Sequence, residues 1–319
     1  MITKRTYPYP YPYPNANPHA LGEGEKKTRC DFRRAKPLLG TLVEIRAACE
    51  SEASFIAATD AAFARIEHIH RAMSFHAHTS ELQAIARCSA GERLHVDQDT
   101  WKVLQLALRI EHDSDGIFNP TIAPALVRSG LLPKPSGVRE APNHATLASS
   151  IRLDEPRVVQ VLQPVWIDLG GIAKGYAVDA ATDALLEQDV NTGAVNAGGD
   201  LRVIGHTKQT VYLRHPANPG AHIAVAVLCE MSCATSGDYF VAGQKTRTDT
   251  QRSAIVGARA NIAAEHGSIT VIAPRCAIAD ALTKVLWLSG IDSAISRALL
   301  AKYHAQAVAL DVYGAASYA

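Results

Sequence analysis

The sequence carries almost no net charge and has no dense basic cluster. Its 32 Lys and Arg residues nearly balance its 31 Asp and Glu residues, which gives a formal net charge of +1 at pH 7. Proteins that follow a nucleic-acid backbone concentrate Lys and Arg on one face, because their phosphate contacts are electrostatic. The composition therefore argues against nucleic acid as a partner.

The sequence also lacks long apolar runs. A stretch such as HIAVAVLC, residues 222–229, is far shorter than the roughly 20 apolar residues that span a bilayer, so no transmembrane segment is predicted. The N-terminus has no charged start followed by about 7 to 15 apolar residues, the pattern of an export signal. We therefore expect a cytoplasmic protein, unless the start codon is misassigned and hides such a signal.

Cysteine is scarce and scattered. Of the six cysteines only Cys229 and Cys233 are close in sequence, and the CxxxC spacing is that of neither a zinc knuckle nor a redox motif. The prediction is free, mostly buried thiols in a reducing compartment.

The N-terminal segment begins MITKRTYPYPYPYPNANPHALGEGEKK. Alternating proline removes backbone donors and favours polyproline II, so we predict a disordered tail over residues 1–33 and a folded domain over residues 34–319. The tyrosines of the tail leave docking in a partner's groove as an alternative.

The rest of the chain alternates strand and helix patterns. Strands are predicted in PLLGTLVEIRA, VNAGGDLRVIG, TVYLRH, HIAVAVLC, SITVIAP and AQAVALDV, with three more short runs over residues 151–169. Helices are predicted in EASFIAATDAAFARIEHIHRAM, from Asp97 or Asp99 toward Gly116, in IAKGYAVDAATDALLEQ, in IADALTKVLWLSG and in AISRALLAKYH. Because strands outnumber helices and come in runs, the fold class is α+β in one domain, not a doubly wound parallel sheet.

The segment from Asp168 to Asp179, DLGGIAKGYAVD, is the most informative motif. It combines an acid at a strand end, two glycines that allow close backbone approach, and a lysine in the first turn of a helix. Such a combination suits a phosphorylated, hydroxyl-bearing ligand. The alternative is an ordinary tight turn into a surface helix.

Other motifs are weaker when taken alone. NAGGD can be a ligand-binding turn or a simple hairpin, and ATSGDY can be a phosphate contact or turn chemistry. Asp280 opens an apolar helix, where a carboxylate also favours the positive helix end. The histidines at positions 68, 70, 76 and 78 indicate a His-rich surface helix and loop, since the HxH spacing points the two rings about 200° apart.

Taken together, the motifs resemble those of the ApbE-type FAD:protein FMN transferases. RxxPLLGTLVEI, SFHAHTSEL, DGIFNPT, DLGGIAKGYAVD, NAGGD, ATSGDY and SITVIAP with ADALTK occur in the family's order, over residues 37–290. The resemblance implies a single ApbE-like domain of mixed, largely antiparallel sheets packed with helices. It also implies transfer of the FMN moiety of FAD to a Thr or Ser hydroxyl of an acceptor protein, with AMP leaving.

The resemblance also assigns site residues. Asp168 and Lys174 would contact FAD, and Gly116, Ile117 and Phe118 would line the site. The backbone oxygen of Gly171 and the carboxylate of Asp280 would hold Mg²⁺ on the pyrophosphate, which makes Asp280 the candidate catalytic residue.

Four positions depart from the family pattern. Leu39, His76 and Asn119 stand where the family tends to carry Met, Tyr and Asp, and Lys284 replaces a metal-binding Thr. Lys284 follows Asp280 by one helical turn, so its ammonium could pair with that carboxylate in place of a cation. The alternative is a Lys284 that points to solvent, with Mg²⁺ held by Asp280, the Gly171 carbonyl and water.

The segment before SITVIAP also departs from the family. It lacks the His-containing HIxDPxTG pattern, and His266 is displaced from the corresponding position. Two rival functions therefore stay open: a catalytically impaired FAD-binding scaffold, and an FAD pyrophosphate hydrolase that gives FMN and AMP.

Overall fold

The computed structural model describes residues 30–138, 140–143, 145–206, 208–215, 218, 220–237 and 266–319. The strands in these ranges are β1 (Cys30–Leu38), β2 (Thr41–Cys49), β3 (Arg93–His95), β4 (Ile151–Asp154), β5 (Val158–Val161), β6 (Gly193–Ala197), β7 (Asp200–Ile204), β8 (Gln209–Arg214), β9 (His222–Leu228), β10 (Ser232–Gly237), β11 (His266–Ala273), β12 (Gln306–Asp311) and β13 (Ala316–Tyr318). The helices are α1 (Glu52–Met73), α2 (Glu81–Arg87), α3 (Gln98–Asp113), α4 (Ala123–Arg128), α5 (Leu147–Ser150), α6 (Ala173–Glu187), α7 (Cys276–Ser289) and α8 (Ala294–Lys302), with a 3₁₀ turn at Pro120–Ile122.

Eight strands form the main sheet, in the order β1-β2-β6-β7-β10-β11-β12-β13, and all of its neighbouring strands pair antiparallel. A three-stranded sheet, β3-β5-β4, and the β8-β9 hairpin complete the described sheets. These antiparallel sheets with packed helices confirm the predicted α+β class.

The first strand begins earlier than the sequence pattern suggested. Residues 30–33, which were assigned to the tail, belong to β1, and Cys30 pairs with Cys49 of β2. The two strands are joined by a tight turn in which Leu39 (φ 56°) and Gly40 (φ 71°) both adopt positive φ. Positive φ is open to glycine without steric cost, which explains Gly40. The rest of the predicted tail, residues 1–29, lies outside the described residues.

One predicted strand is wrong. Of the three runs expected over residues 151–169, the first two form β4 and β5, but Val165–Leu169 is not a strand. Pro164 precedes this run and has no N–H to give to a ladder. The N–H of Asp168 instead donates to the carbonyl of Pro120 over 2.8 Å, so the run is buried as a packed loop.

The predicted long helix α1 packs on α6 through its apolar face. Phe55, Ala62, Phe63 and Ile66 are buried as the helical spacing predicts, whereas Ile56, expected on the same face, is 42% exposed. In the described part of the chain, no helix combines the length and apolarity needed to cross a membrane.

All six cysteines are free, as predicted. Cys49, Cys233 and Cys276 are buried, but Cys30 and Cys229 are exposed. Three of the six thiols are therefore buried, whereas most of them were predicted to be.

Candidate active site

The candidate site lies where the N-terminal turns of α6 and α7 cross. The crossing is close because Gly175 has no side chain: a Cβ placed there would lie 2.4 Å from the carbonyl oxygen of Cys276. Any larger residue would force the two helices apart. The glycine of the AKGY segment therefore serves helix packing, which brings the residues of α7 to the DLGGIAK turn.

Each of these two helices caps the other. Asp179 of α6 accepts hydrogen bonds from the N–H groups of Cys276 and Ala277 at the start of α7, both over 3.0 Å. Asp280 of α7 accepts from the N–H of Gly175 in the first turn of α6 over 3.1 Å. Neither helix has a side-chain cap of its own, so the exchange satisfies N–H groups that would otherwise be buried without partners.

Two arginines fix the buried carboxylate of Asp179. Arg202 of β7 lies 3.2 Å from Asp179 Oδ1, and Arg275 lies 3.3 Å from Asp179 Oδ2. Both arginines also reach the carboxylate of Asp183, one helical turn further along α6. In the sequence, Asp179 is the last residue of the DLGGIAKGYAVD motif, and no local pattern predicts that it caps another helix.

The Gly-Gly turn before α6 is shaped by Asp168. Its Oδ1 accepts from the N–H of Gly170 over 3.0 Å. Burial raises the pKa of the Asp168 carboxyl, while the Gly170 N–H, the His76 ring and the Lys284 ammonium act in the opposite direction. Asp168, the predicted flavin contact, thus lies near Gly170, His76 and Lys284.

The loop after α3 joins this turn. Phe118 is buried, and its Cε2 lies 3.5 Å from the position that a Cβ on Gly171 would occupy. Gly116 (φ 74°) and Ile117 precede it in the same loop, and Gly116 is exposed. Of the predicted lining residues, Phe118 is therefore a neighbour of the predicted Gly171 ligand, and Gly116 and Ile117 belong to the same loop.

Asn119, which stands where the family tends to carry Asp, is the N-cap of the 3₁₀ turn at Pro120–Ile122. Its Oδ1 accepts from the N–H of Thr121 over 2.8 Å and from the Thr121 hydroxyl over 2.7 Å. An amide oxygen serves this purpose as well as a carboxylate does. The change from Asp removes a charge but leaves the 3₁₀ turn capped.

Two lysines and two acids form the charged centre of the site. Lys174 pairs with Asp200, and Lys284 pairs with Asp280. Lys284 thus pairs with Asp280, as the one-turn spacing allows, and does not point away to solvent. Asp200, the acid of NAGGD, follows a turn in which Gly198 (φ 61°) and Gly199 (φ 102°) have positive φ. The NAGGD motif is recognisable in the sequence, but its acid is not among the site residues predicted from it.

The charges of this centre shift the pKa values of Asp200, Asp280 and Lys174. Burial raises the pKa of Asp200 to about 7, helped by Asp280 and opposed by Lys174 and Lys284. For Asp280, burial acts in the same direction, but Lys284, Lys174 and the Gly175 N–H outweigh it and lower the pKa. The pKa of Lys174 is raised, because Asp200 and Asp280 outweigh burial. Lys174 is thus held in its charged form.

These residues do not fit the Mg²⁺ site that the resemblance implies. Mg²⁺ requires oxygen ligands in near-octahedral geometry. Asp280 Oδ1 is engaged by Lys284, and Oδ2 by the Gly175 N–H. The Thr283 hydroxyl donates to the Asp280 carbonyl over 2.7 Å and lies 2.8 Å from Ser236 Oγ. The Lys284 ammonium is therefore bound to the Asp280 carboxylate, which a metal cation would need as a ligand.

A second group of possible ligands lies away from this centre. His68 Nε2 is 3.1 Å from Asp97 Oδ2 and 3.8 Å from Asp99 Oδ2, a spacing at which three side chains could hold an ion. Arg65 lies 2.6 Å from the same oxygen of Asp99, and the Tyr176 hydroxyl donates to the other over 2.8 Å. The guanidinium already balances this carboxylate, so the group is an ion-pair network between α1, α3 and α6.

Part of the predicted site cannot be placed. The segment before SITVIAP that lacks the HIxDPxTG pattern lies outside the described residues up to residue 265, as do Asp238 and Tyr239 of ATSGDY. Only the last two residues of that segment, His266 and Gly267, are described, and they begin β11. The described part of ATSGDY, through Gly237, forms β10.

The chain matches known proteins over most of its length. The model of the ApbE family matches residues 39–309. A protein named FAD:protein FMN transferase from Treponema pallidum is 25% identical over 86% of this chain and 82% of its own length. One of the same name from Haemophilus influenzae is 26% identical over 72% of both chains.

Solved structures agree with this assignment. The ApbE protein of Thermotoga maritima superposes with a TM-score of 0.74 at 26% identity, covering 90% of this chain and 96% of its own. The flavin transferase ApbE of Vibrio cholerae gives 0.73 at 20% identity, covering 91% and 97%, and shares the fold. The motifs that suggested the resemblance and the architecture that carries them lead to one conclusion: this chain belongs to the ApbE family.

Proposed function

We propose that this chain transfers the FMN moiety of FAD to a Thr or Ser hydroxyl of an acceptor protein and releases AMP. The observation that carries the proposal is the family match over residues 39–309, within which the Gly-Gly turn and the two lysines come together at one place. The relatives that bear the name FAD:protein FMN transferase support the same reaction.

The reaction exchanges one phosphorus–oxygen bond for another. The acceptor hydroxyl oxygen bonds to the phosphorus of the FMN half, and the bond from that phosphorus to the bridging oxygen breaks. The bridging oxygen leaves with AMP, and the hydroxyl proton passes to solvent. Such a transfer depends on positioning and on neutralising charge more than on a covalent intermediate with the protein.

The residues of this chain supply both requirements. Gly170 and Gly171 let a ligand approach the backbone closely, and Asp168 offers a carboxylate beside that turn. Lys174 and Lys284 offer positive charge to the pyrophosphate. Asp280 acts as a positioning residue in this scheme, because its oxygens hold Gly175 and Lys284.

The test uses a peptide library with a central Thr or Ser and a matched library with Val or Ala at that position. Purified protein is incubated with FAD and each library, with and without Mg²⁺, and AMP, free FMN and peptide-bound flavin are measured. The expected result is AMP together with flavin on the hydroxyl-containing peptides alone. AMP with free FMN in both libraries would instead identify a hydrolase, and bound FAD without AMP a scaffold.

A further inference from the structure

The pairing of Lys284 with Asp280 bears on how this site binds the pyrophosphate of FAD, and the inference rests on the proposed function. We propose that the Lys284 ammonium replaces a divalent cation as the positive charge facing the pyrophosphate, so that FAD binds without Mg²⁺. The proposal follows from the position of this lysine, from the charge of its surroundings and from its exposure.

The position of Lys284 is fixed along its whole length. Its Cγ and Cε lie 3.6 and 3.7 Å from the position that a Cβ on Gly171 would occupy, so the stem packs against the Gly-Gly turn. Its Nζ reaches Asp280 Oδ1 and lies 3.1 Å from Thr283 Oγ1. The ammonium is therefore held between the turn and the carboxylate, the two places from which the resemblance drew its metal ligands.

The two lysines at least offset the charge of the two acids around Lys284. Lys174 and Lys284 contribute two positive charges, and Asp200 and Asp280 contribute two negative ones when ionised. A divalent cation placed among them would meet two ammonium groups at short range. The repulsion between like charges opposes its binding, because screening is weak among buried groups.

The exposed part of this cluster is cationic. The side chains of Lys174 and Lys284 are 29% and 22% exposed, whereas those of Asp200 and Asp280 are 1% and 0% exposed. A ligand that approaches from solvent meets the lysines and not the acids. A cluster with this layering attracts an anion such as a pyrophosphate, and the carboxylates of Asp200 and Asp280 are not exposed to a hard cation.

The experiment measures FAD binding by calorimetry, with Mg²⁺ present and with a chelator in its place. For the wild type we expect the same Kd, within about twofold, under both conditions. Lys284→Met should weaken FAD binding about tenfold or more, because it removes a charge-assisted contact. Lys284→Arg should retain binding without Mg²⁺, because it keeps the charge.

Two further measurements sharpen the test. Lys284→Thr restores an oxygen beside Asp280, so its FAD affinity should rise about tenfold when Mg²⁺ is added. Riboflavin has no pyrophosphate, so its affinity should not change in any Lys284 variant. Lys102→Met, on the exposed side of α3, is the control for loss of a lysine charge, and thermal unfolding shows that each variant is folded.

Several results would overturn the proposal. They are wild-type FAD binding that tightens about tenfold or more with Mg²⁺, a Lys284→Met variant that binds FAD as the wild type does, and the absence of FAD binding under every condition. These measurements report FAD binding alone, so their outcome does not depend on whether flavin is transferred. Tight, Mg²⁺-independent FAD binding without flavin transfer would refute the proposed function and leave the role of Lys284 standing.

Discussion

The backbone N–H of Gly175 donates to Oδ2 of Asp280 over 3.1 Å, although the two residues are 105 positions apart. This bond uses one oxygen of the acid that the family resemblance marks as catalytic, and Lys284 uses the other. The carboxylate is therefore a fixed point of the structure that caps α6 and orients an ammonium. Its contribution to the reaction in this chain would pass through Lys284.

Gly175→Ala tests the close helix crossing. The new methyl group would lie 2.4 Å from the Cys276 carbonyl oxygen, so we expect a loss of stability of about 1–3 kcal/mol or more in urea unfolding. Gly220→Ala is the matched control, since the nearest atom to its new methyl group, Asn218 Oδ1, is 3.7 Å away. Equal stability of both variants and the wild type would mean that the helices do not cross this closely.

Asp179→Asn tests the reciprocal cap. The variant leaves Arg202 and Arg275 beside a neutral amide and replaces an oxygen that accepts from the start of α7, so the free energy of unfolding should fall by about 3 kcal/mol or more. Asp183→Asn removes a carboxylate that contacts the same two arginines but is partly exposed, and should cost about 1 kcal/mol or less. A larger loss for Asp183→Asn than for Asp179→Asn would contradict the buried-cap interpretation.

Asp168→Ala tests the flavin contact that the resemblance assigns. Loss of a hydrogen bond to a charged group costs roughly 1.5–3 kcal/mol, so FAD affinity should fall about tenfold to a hundredfold. Titration of flavin fluorescence measures this, with Asp60→Ala as a control because Asp60 is exposed on α1. An Asp168→Ala variant with unchanged affinity would make Asp168 a purely structural part of the turn.

Asp113→Asn tests the link between α3 and α8 through its pH dependence. Burial would raise the pKa of Asp113, but hydrogen bonds from Lys302, Tyr303 and His112 outweigh it and lower the pKa. The ionised carboxylate therefore stabilises the fold above the unfolded-state pKa of about 3.9, and this contribution is lost as the pH falls through the lower folded-state pKa.

The expected result is a lower Tm for Asp113→Asn than for the wild type at pH 7, with a difference that shrinks at about pH 3. Asp31→Asn, at an exposed position of β1, is the control. A difference in Tm that stays constant from neutral to acidic pH would show that the charge of Asp113 does not contribute.

Elements with strong periodicity were predicted well. The apolar spacing of α1 and the helix α6 that follows DLGGI depend on local sequence, and both are present. The prediction of a strand over Val165–Leu169 was wrong, although these residues have the composition of a strand. The N–H of Asp168 donates to the carbonyl of Pro120 and not to a neighbouring strand. Hydrophobic composition indicates burial, whereas strand formation also requires a neighbouring backbone.

The sequence by itself determined the motifs, the family resemblance and the one-turn spacing from Asp280 to Lys284, because these depend on residues that are near one another in the chain. The tertiary structure decided which partners the charged groups have. Lys174 meets Asp200, Asp179 caps a helix almost 100 residues away, and Gly175 binds Asp280. No local pattern encodes these contacts, because they arise only when the antiparallel sheet and the two crossing helices bring distant segments together.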